Sequence, residues 1–453
     1  MAPSRAFTYC EGAPSWKPAT YIADAALQKR AESLLANDNL QSAIAISFAL
    51  PPPSRDRYVY HAIVSVTLPE VQHVISLGGQ NGLHAWYFAP APPSSSDDTK
   101  ETKEPIALPP PPRPDIEAYL SIFDPNTSTP AALKTFASNA KKGSLRAEIA
   151  AYLLSKRYLH PSLAASLTVP KRAKKKKATT TADTNTDTNK IPPNPYLLFL
   201  NWSARALEWA GPSPSSALGG NRAHHALPVL MHHFGCACPS HEALSILRVL
   251  AVGRGVLDVG SGGGYWTFML RSYGVDTVPV DSAQSAWRAT WVSDTVITDG
   301  EAWLRKRRKA RAQSQSQSKS ASASNPDPDP DEAVLLLVYP IVGGELAGGQ
   351  EGGFTRRMID AYGGDTLAVV GTQNRNGYTG FRGLSMDEYM AKERSADGWV
   401  KVVQVALPSF PGKDEALFVF QRGPRAPARD AETAAAGEVG DRSSGSGGGN
   451  DNK

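Results

Sequence analysis

The spacing of apolar residues divides the chain into segments that can fold and segments that cannot. Four stretches lack an apolar period and are rich in Pro, Ser, Asp, Lys, Gln or Gly: residues 90–114, 168–194, 311–331 and 424–453. Such compositions bury too little apolar surface to offset chain entropy, so we predict disordered linkers, a disordered insert and a disordered tail. Two blocks remain, an N-terminal block of residues 1–167 and a C-terminal block of residues 195–423.

The N-terminal block predicts a mixed α+β extension. Helical apolar spacing covers residues 21–35, 40–50 and 132–159, the last with a break at Gly143, and residues 57–68 alternate like a strand. The block contains no catalytic signature, so we predict a packing or regulatory extension whose role the sequence does not indicate.

The C-terminal block alternates strands and helices, which indicates an α/β fold. Predicted strands cover residues 256–259, 276–280, 295–298, 333–339, 366–370, 400–406 and 416–421, and predicted helices cover 265–273, 354–362 and 386–392. The last two strands are joined by nine residues, LPSFPGKDE, which leave no room for a crossover helix. They can therefore pair only as an antiparallel hairpin.

A glycine-rich turn follows the first of these strands. The segment GVLDVGSGGGYW places glycines at 260, 262 and 264, between an apolar run and a helix-like stretch. Glycines let the backbone turn sharply and approach a ligand, and the helix start presents unpaired N–H groups. A dinucleotide fingerprint would require its third glycine at position 265, where this chain has Tyr265.

Three acids stand at or near the ends of successive strands. Asp258 precedes the turn and can pair with the amino group of a cofactor that carries an amino acid, as S-adenosylmethionine does and NAD does not. Asp281 closes the second strand, where an acid reaches ribose hydroxyls. Asp299 follows the third strand, where a carboxylate can accept the exocyclic amine of adenine. We therefore predict S-adenosylmethionine as the cofactor.

This assembly, over residues 222–422, resembles the class I (Rossmann-like) S-adenosylmethionine-dependent methyltransferases, whose seven-stranded sheet ends in such an antiparallel pair. It is similar to poorly characterised methyltransferase-like proteins with segments of the types FGCACPSHEAL, LLLVYP, GYTG and PSFPGKD. The resemblance implies methyl transfer by in-line attack on the sulfonium. It also implies that the cofactor is bound by the residues that match the family motifs: Asp258, Gly260, Ser261, Gly262, Gly264, Asp281 and Asp299.

The methyl acceptor should lie beyond the carboxyl ends of the strands. Many amino-directed members of the superfamily carry an (Asp/Asn)-Pro-Pro-Tyr loop after strand four. Here the loop reads Val338-Tyr339-Pro340-Ile341, without the Asp or Asn, which disfavours adenine or glutamine N-methylation. Tyr339, Asn376 and Tyr378 are the candidate acceptor-side residues, although packing or turn roles explain them equally well. The acceptor, small molecule or macromolecule, is not indicated, and neither is the oligomeric state.

Two other functions stay open. Because the loop after strand four lacks the Asp or Asn, the protein could also be a non-catalytic scaffold that retains the fold and works through its N-terminal block and linkers. An NAD-dependent oxidoreductase is disfavoured by Tyr265 and by the terminal hairpin.

A histidine- and cysteine-rich segment suggests a metal site at first sight. Residues 224–241 contain His224, His225, His232, His233, Cys236, Cys238 and His241. However, the two cysteines have a single residue between them and no second Cys pair exists, so we predict no metal site. The similar proteins named above use the equivalent segment as the start of a helix before the first strand, and this resemblance implies that Ser240 is the N-cap.

The net charge of +5 comes from two basic runs. Residues from Lys171 to Lys177 and from Arg305 to Arg311 contain six Lys or Arg each, and without them 36 basic residues face 43 acidic ones. Nucleic-acid binding is therefore not favoured, and the run at 171–177 predicts recognition by a nuclear import receptor. Three cysteines and no long apolar segment predict an intracellular protein of the nucleus or cytoplasm, without a membrane span.

Overall fold

The structure is a computed structural model that describes residues 9–62, 64–90, 104–169, 191–220, 222–317, 329, 331–340, 351–374, 379, 381 and 383–428. The helices are α1 (Pro18–Ala23), α2 (Ala25–Leu35), α3 (Leu40–Ser47), α4 (Leu68–Ser76), α5 (Arg113–Leu120), α6 (Thr129–Ser138), α7 (Leu145–Lys156), α8 (Pro161–Leu167), α9 (Pro195–Ala206), α10 (Pro214–Ala217), α11 (Ala226–Phe234), α12 (His241–Leu250), α13 (Tyr265–Ser272), α14 (Gly300–Gln317), α15 (Gly353–Ala361) and α16 (Met386–Glu393). The strands are β1 (Tyr60–His61), β2 (Ser65–Val66), β3 (Phe88–Ala89), β4 (Ile106–Ala107), β5 (Tyr158–Leu159), β6 (Val256–Val259), β7 (Thr277–Asp281), β8 (Val296–Ile297), β9 (Val334–Val338), β10 (Thr366–Thr372), β11 (Val400–Ala406) and β12 (Glu415–Gln421).

An eight-stranded sheet forms the centre of the fold, in the order β5-β11-β12-β10-β9-β6-β7-β8. Strands β6 to β10 pair in parallel, and β12 pairs antiparallel with both β10 and β11. The order reverses at β6 and β9, so ligands are expected beyond the carboxyl ends of these two strands. The predicted α/β class is confirmed: the sheet is Rossmann-like and carries the antiparallel hairpin of β11 and β12.

The strands of the C-terminal block lie close to their predicted positions. Val256–Val259 and Val400–Ala406 match the prediction, and the other strands of this block differ from it by one or two residues at their ends. Strands β9 and β10 are buried along nearly all of their length because helices cover both faces of the sheet, which explains why their sequences read as continuous apolar runs.

Two apolar clusters cover the two faces of the sheet. Along β6 the side chains alternate, with Val256 in the larger cluster and Leu257 in the smaller one. The larger cluster also contains residues of the N-terminal block, from Cys10 to Leu167. The N-terminal block therefore shares the core of the sheet.

Three predictions for the N-terminal block are wrong in detail. Residues 57–68 form a short hairpin of β1 and β2 because the chain turns at Ala62, whose N–H donates to the carbonyl of Val64. The helix predicted over residues 21–35 is interrupted at Asp24, whose side chain caps α2 by accepting the N–H of Leu27. The segment predicted as a helix to residue 159 ends as β5, which pairs with β11 and extends the sheet.

Two segments predicted as disordered contain regular elements. Within residues 90–114, β4 pairs with β3 and α5 begins at Arg113. Within residues 311–331, α14 continues to Gln317. The basic run at 171–177 lies outside the described residues. None of the helices in the described part of the chain is long and apolar enough to cross a membrane.

Candidate functional site

The glycine-rich turn connects β6 to α13 in a left-handed backbone conformation. The φ angles of Gly260, Gly262 and Gly264 are 81°, 56° and 76°, values that residues with a Cβ rarely adopt. A Cβ on Gly264 would also lie 2.4 Å from Cγ2 of Val292. Both the conformation and the packing thus require glycine here, as the motif predicts.

Backbone hydrogen bonds fix the turn to the second strand of the parallel set. The N–H groups of Gly260 and Ser261 both donate to the carbonyl of Val280, at 2.8 and 3.1 Å. The N–H of Gly264 donates to the carbonyl of Ser261 at 2.9 Å. Ser261 Oγ is buried and has no hydrogen-bond partner within the described part of the chain. The turn is thus preformed and keeps one hydroxyl available for a ligand.

Asp258 is a fully buried carboxyl below this turn. Its side chain is 0% exposed, and Oδ2 accepts a hydrogen bond from Oγ1 of Thr267 on α13 at 2.7 Å. Oδ1 has no partner among the described residues. Burial raises the pKa of Asp258 from 3.8 to about 7. A cationic amino group at Oδ1 would supply the missing donor and stabilise the charged form, so this carboxyl fits the amino group of S-adenosylmethionine.

Asp281 lies at the end of β7 and contacts the turn directly. Oδ2 accepts the N–H of Gly262 at 2.9 Å, and Oδ1 accepts the N–H of Ala283 at 2.6 Å. The side chain is half-buried, and each oxygen has a further lone pair. The structure thus brings Asp281 to the glycine turn, while its contact with a ribose stays a prediction.

Asp299 lies at the start of α14 and is exposed. Its Oδ1 accepts the N–H of Ala302 at 2.9 Å, which is the hydrogen bond of a helix N-cap. This capping role accounts for the residue type at this position. Its contact with adenine stays a prediction.

Trp287 is a residue of the site that the sequence reasoning missed. Its indole lies so close to Gly262 that a Cβ there would stand 2.8 Å from Cζ2 of the ring. The indole Nε1 is buried and finds no acceptor among the described side chains and backbone. The available signal was a tryptophan six residues after Asp281, on the loop that leaves β7.

The neighbouring Arg288 connects this loop to the N-terminal block. Its side chain is 1% exposed and pairs with Oδ1 of Asp56 at 2.8 Å. It also donates to the hydroxyl of Tyr60 at 2.6 Å, and its guanidinium stacks over the ring of Tyr58. The N-terminal block thus holds the residue next to the indole that covers the turn.

Tyr339 directly follows β9 and has a strained backbone. Its φ is 51°, unusual for a residue with a bulky side chain, and its N–H donates to the carbonyl of Val370. The hydroxyl of this buried tyrosine donates to Oε1 of Glu415 at 2.6 Å. Tyr339 therefore lies at the carboxyl edge of the sheet, as predicted. The other two acceptor-side candidates, Asn376 and Tyr378, lie outside the described residues.

Glu415 begins β12 and was also missed by the sequence reasoning. It is 2% exposed and pairs in register with Thr372 at the carboxyl end of β10. Burial raises its pKa from 4.5 to about 7, while the hydrogen bond from Tyr339 opposes that rise. The signal was the run Lys413-Asp414-Glu415, three ionisable residues directly before a strand of apolar residues.

Four of the five histidines of residues 224–241 bond to tyrosines or to the backbone. His232 Nδ1 contacts the hydroxyl of Tyr58 at 2.8 Å, and His233 Nε2 contacts that of Tyr60 at 3.0 Å. Burial lowers the pKa of both imidazoles. Ser240 caps α12 as predicted, by accepting the N–H of Ala243. Within the described ranges, no three His, Cys, Asp or Glu side chains are grouped closely enough to hold a metal ion.

A cleft of about 320 Å³ lies away from the glycine turn, at the opposite edge of the sheet, where α15 leads into β10. It is lined by Arg308, Ile359, Asp360, Tyr362, Gly363, Arg394, Asp397 and Arg422. Its arginines are bonded to nearby acids and carbonyls: Arg394 pairs with Asp360, and Arg422 donates to two backbone oxygens. This cleft therefore does not belong to the candidate cofactor site.

Comparison with known proteins adds little to this geometry. No protein-family model matches the chain. No curated protein matches it either. Among solved structures, an uncharacterized protein from Listeria monocytogenes serotype 4b is 11% identical, with a TM-score of 0.25, over 42% of this chain and 73% of that chain. The 23S rRNA methyltransferase ErmE is 12% identical, with a TM-score of 0.21, over 44% of this chain and 75% of that chain. Because both scores are low, the fold assignment rests on the strand order and register.

Proposed function

We propose that this protein binds S-adenosylmethionine at the glycine turn and transfers its methyl group to an acceptor. Two observations support the proposal. The sheet has the strand order of class I methyltransferases, including the antiparallel β12. Below the turn, Asp258 is fully buried with one carboxylate oxygen lacking a donor within the described residues, and this observation carries the proposal.

Each site residue has a distinct part in this proposal. Asp258 would pair with the cofactor's amino group, and the Ser261 hydroxyl would bond to its amino acid portion. Asp281, which already holds the N–H of Gly262, would accept the ribose hydroxyls with its remaining lone pairs. Asp299 would accept the exocyclic amine of adenine.

Methyl transfer from the cofactor requires little acid–base catalysis at the cofactor itself. When bound, S-adenosylmethionine supplies a methyl group that its sulfonium already activates. The residues of the chain then have to orient the acceptor and keep water away, and such alignment can account for a large share of a rate enhancement. Tyr339 lies at the edge where the acceptor would approach.

Isothermal titration of the full chain with S-adenosylmethionine and S-adenosylhomocysteine tests the proposal. We expect both to bind, and we expect Asp258→Asn to weaken binding of both by at least about tenfold, because the neutral amide no longer offers a negative charge to the cofactor's ammonium. Asp294→Asn is the matched control, since Asp294 is exposed and pairs with Arg271. The proposal fails if neither ligand binds or if Asp258→Asn binds as wild type does.

A non-catalytic scaffold is the second candidate, and one observation favours it. The N–H groups of Gly260, Ser261, Gly262 and Gly264 already bond within the protein, and the indole of Trp287 lies against the turn. Methyl transfer from labelled cofactor to any component of a cell extract would eliminate this candidate. Cofactor binding without transfer would favour it.

A further inference from the structure

Two consecutive acids at the start of β12 differ in how their oxygens are satisfied. Oδ2 of Asp414 accepts the hydroxyl of Tyr152 at 2.6 Å, and Oδ1 accepts Nε2 of Gln373 at 2.8 Å. Glu415 uses only Oε1, toward Tyr339, and Oε2 has no partner among the described residues. Burying a polar oxygen without a hydrogen-bond donor costs free energy. Hydrogen bonds within the protein satisfy both oxygens of Asp414, but they leave Oε2 of Glu415 without a donor among the described residues.

Glu415 lies on the same face of the sheet as Asp258. Side chains alternate along a strand, so Asp258 shares a face with Val256, and Glu415 shares one with Leu417. Val256, Leu417 and Tyr339 all belong to the larger apolar cluster. Asp258 and Glu415, each with one carboxylate oxygen that lacks a donor among the described residues, therefore lie on one face of the sheet near the C-terminal ends of the parallel strands. Strands β9 and β10 lie between them.

We propose that Glu415 accepts a proton from the nitrogen of the methyl acceptor, and that the acceptor is an amine. This inference rests on the proposed function and names its substrate class. In the step, an N–H bond of the acceptor's ammonium breaks and an O–H bond forms at Oε2. The electron pair stays on nitrogen as the lone pair that a nucleophile needs, and the positive charge of the ammonium is neutralised together with the carboxylate.

Other acceptor classes fit this carboxyl less well. A carboxylate or thiolate acceptor already has a lone pair and would be repelled by the charge of Glu415. An alcohol holds its proton too tightly for a carboxyl base. An ammonium group has no free lone pair, and a carboxyl whose pKa burial raises to about 7 suits its deprotonation near neutral pH.

Most of the ionisable groups around Glu415 are neutral at pH 7, and Lys413 is a cation. Besides Asp414, the ionisable groups near it are Tyr339, Tyr119, Tyr196, Cys236, Cys238 and Lys413. Burial raises the pKa of the listed tyrosines other than Tyr339 and of both thiols, so these groups stay neutral. Lys413 is the exception: burial lowers its pKa to about 8, so its ammonium stays mostly protonated at pH 7 and lowers the pKa of Glu415. This neighbouring cation disfavours a second ammonium group at Glu415, and it therefore favours loss of the acceptor's proton to leave a neutral amine.

Methylammonium is the probe, because the smallest primary amine fits any site that holds a larger one. The full chain is first titrated with S-adenosylhomocysteine and then, saturated with it, with methylammonium in two buffers of different ionisation enthalpy. We expect a Kd on the order of 10 mM for a ligand of this size. We also expect release of a fraction of a proton per binding event at pH 7, because free Glu415 is partly protonated and the bound amine–Glu415 pair holds only the proton that methylammonium brings.

Two variants and one neutral ligand sharpen the test. Glu415→Gln should lose both methylammonium binding and proton release, while its affinity for S-adenosylhomocysteine stays within about twofold of wild type. Tyr339→Phe removes a donor that lowers the pKa of Glu415, so proton release should rise toward one and binding should weaken. Methanol, which has the same size and no charge, should release no proton.

The outcomes separate this inference from the proposed function. If S-adenosylhomocysteine binds but methylammonium does not, or if Glu415→Gln releases as many protons as wild type, the amine site is refuted and the cofactor site stands. If S-adenosylhomocysteine does not bind, the proposed function fails and this inference fails with it.

Discussion

The indole of Trp287 packs against Gly262 so closely that no Cβ fits between them. A Cβ on Gly262 would lie 2.8 Å from Cζ2 of the ring, and the residue's φ is 56°. The tryptophan belongs to the loop after β7, and the adjacent Arg288 is bonded to the N-terminal block. This contact connects the glycine turn with chain segments more than 200 residues away.

Gly262→Ala should therefore destabilise the protein more than a left-handed backbone alone explains. The conformation costs roughly 1–2 kcal/mol for a residue with a Cβ, and displacing the indole adds to it. Gly274→Ala is the matched control, because its φ is 76° and nothing lies within 4 Å of its Cβ position. Denaturant unfolding of both variants measures the difference, and equal losses would show that the indole moves aside freely.

Asp281→Ala should loosen the turn and lower the free energy of unfolding by roughly 2 kcal/mol. The substitution removes the carboxylate that accepts the N–H groups of Gly262 and Ala283, and such charge-assisted bonds are stronger than neutral ones. Asp276→Ala, at an exposed acid just before the same strand, should change stability by less than about 0.5 kcal/mol. Similar losses in both variants would contradict the bracing role of Asp281.

Asp258 should make the protein less stable as the pH rises from about 4 to 7. Its pKa is higher in the folded state, about 7 against 3.8, so the folded state holds the proton more tightly. The stability that comes from this proton is fully present below pH 3.8 and is lost as the pH rises through 7.

Asp258→Asn should accordingly gain stability relative to wild type between pH 5 and pH 8, as measured by denaturant midpoints. Asp294→Asn should show no such trend, because Arg271 lowers the pKa of Asp294 and this acid is ionised over the whole interval. A flat difference for Asp258→Asn would mean that Asp258 is ionised in the folded protein at pH 5.

The buried pair Arg288–Asp56 should couple the N-terminal block to the sheet. Removing one partner, as in Arg288→Met, leaves the nearly buried Asp56 without its cation and should lower the free energy of unfolding by about 3–5 kcal/mol. A double-mutant cycle with Asp56→Asn should give a coupling energy of about 1–3 kcal/mol. The exposed pair Arg113–Glu117 is the control, and its cycle should give less than about 0.5 kcal/mol. Equal coupling energies in both pairs would refute the role of Arg288–Asp56 in coupling the N-terminal block to the sheet.

The sequence predicted well what depends on neighbouring residues. The glycines at 260, 262 and 264 indicate a left-handed turn because few other residues adopt that backbone. The apolar runs around β9 and β10 indicate buried strands because both faces of these strands are covered. The short connection between β11 and β12 permits only an antiparallel hairpin.

The secondary-structure predictions were less accurate where residues distant in the sequence pair with each other. Residues 158–159 look helical by their spacing, but pairing with β11 at the sheet edge makes them a strand. A local signal was also missed: Thr67 and Glu70 form a capping box, which ends the strand pattern of residues 57–68 and begins α4 at Leu68. Composition misjudged residues 106–107 because their partner strand, β3, precedes the proline-rich segment.

The sequence by itself determined the order of strands and helices, the glycine turn and the acids at its edge, because each follows from local spacing and backbone preference. Only the tertiary structure decided which carboxylate oxygens are left without donors in the described part of the chain, and which N-terminal residues brace the turn. Burial and hydrogen bonding depend on what the rest of the chain brings to a side chain. For Asp258 and Glu415, that environment raises both pKa values to about 7 and leaves one oxygen of each for a ligand.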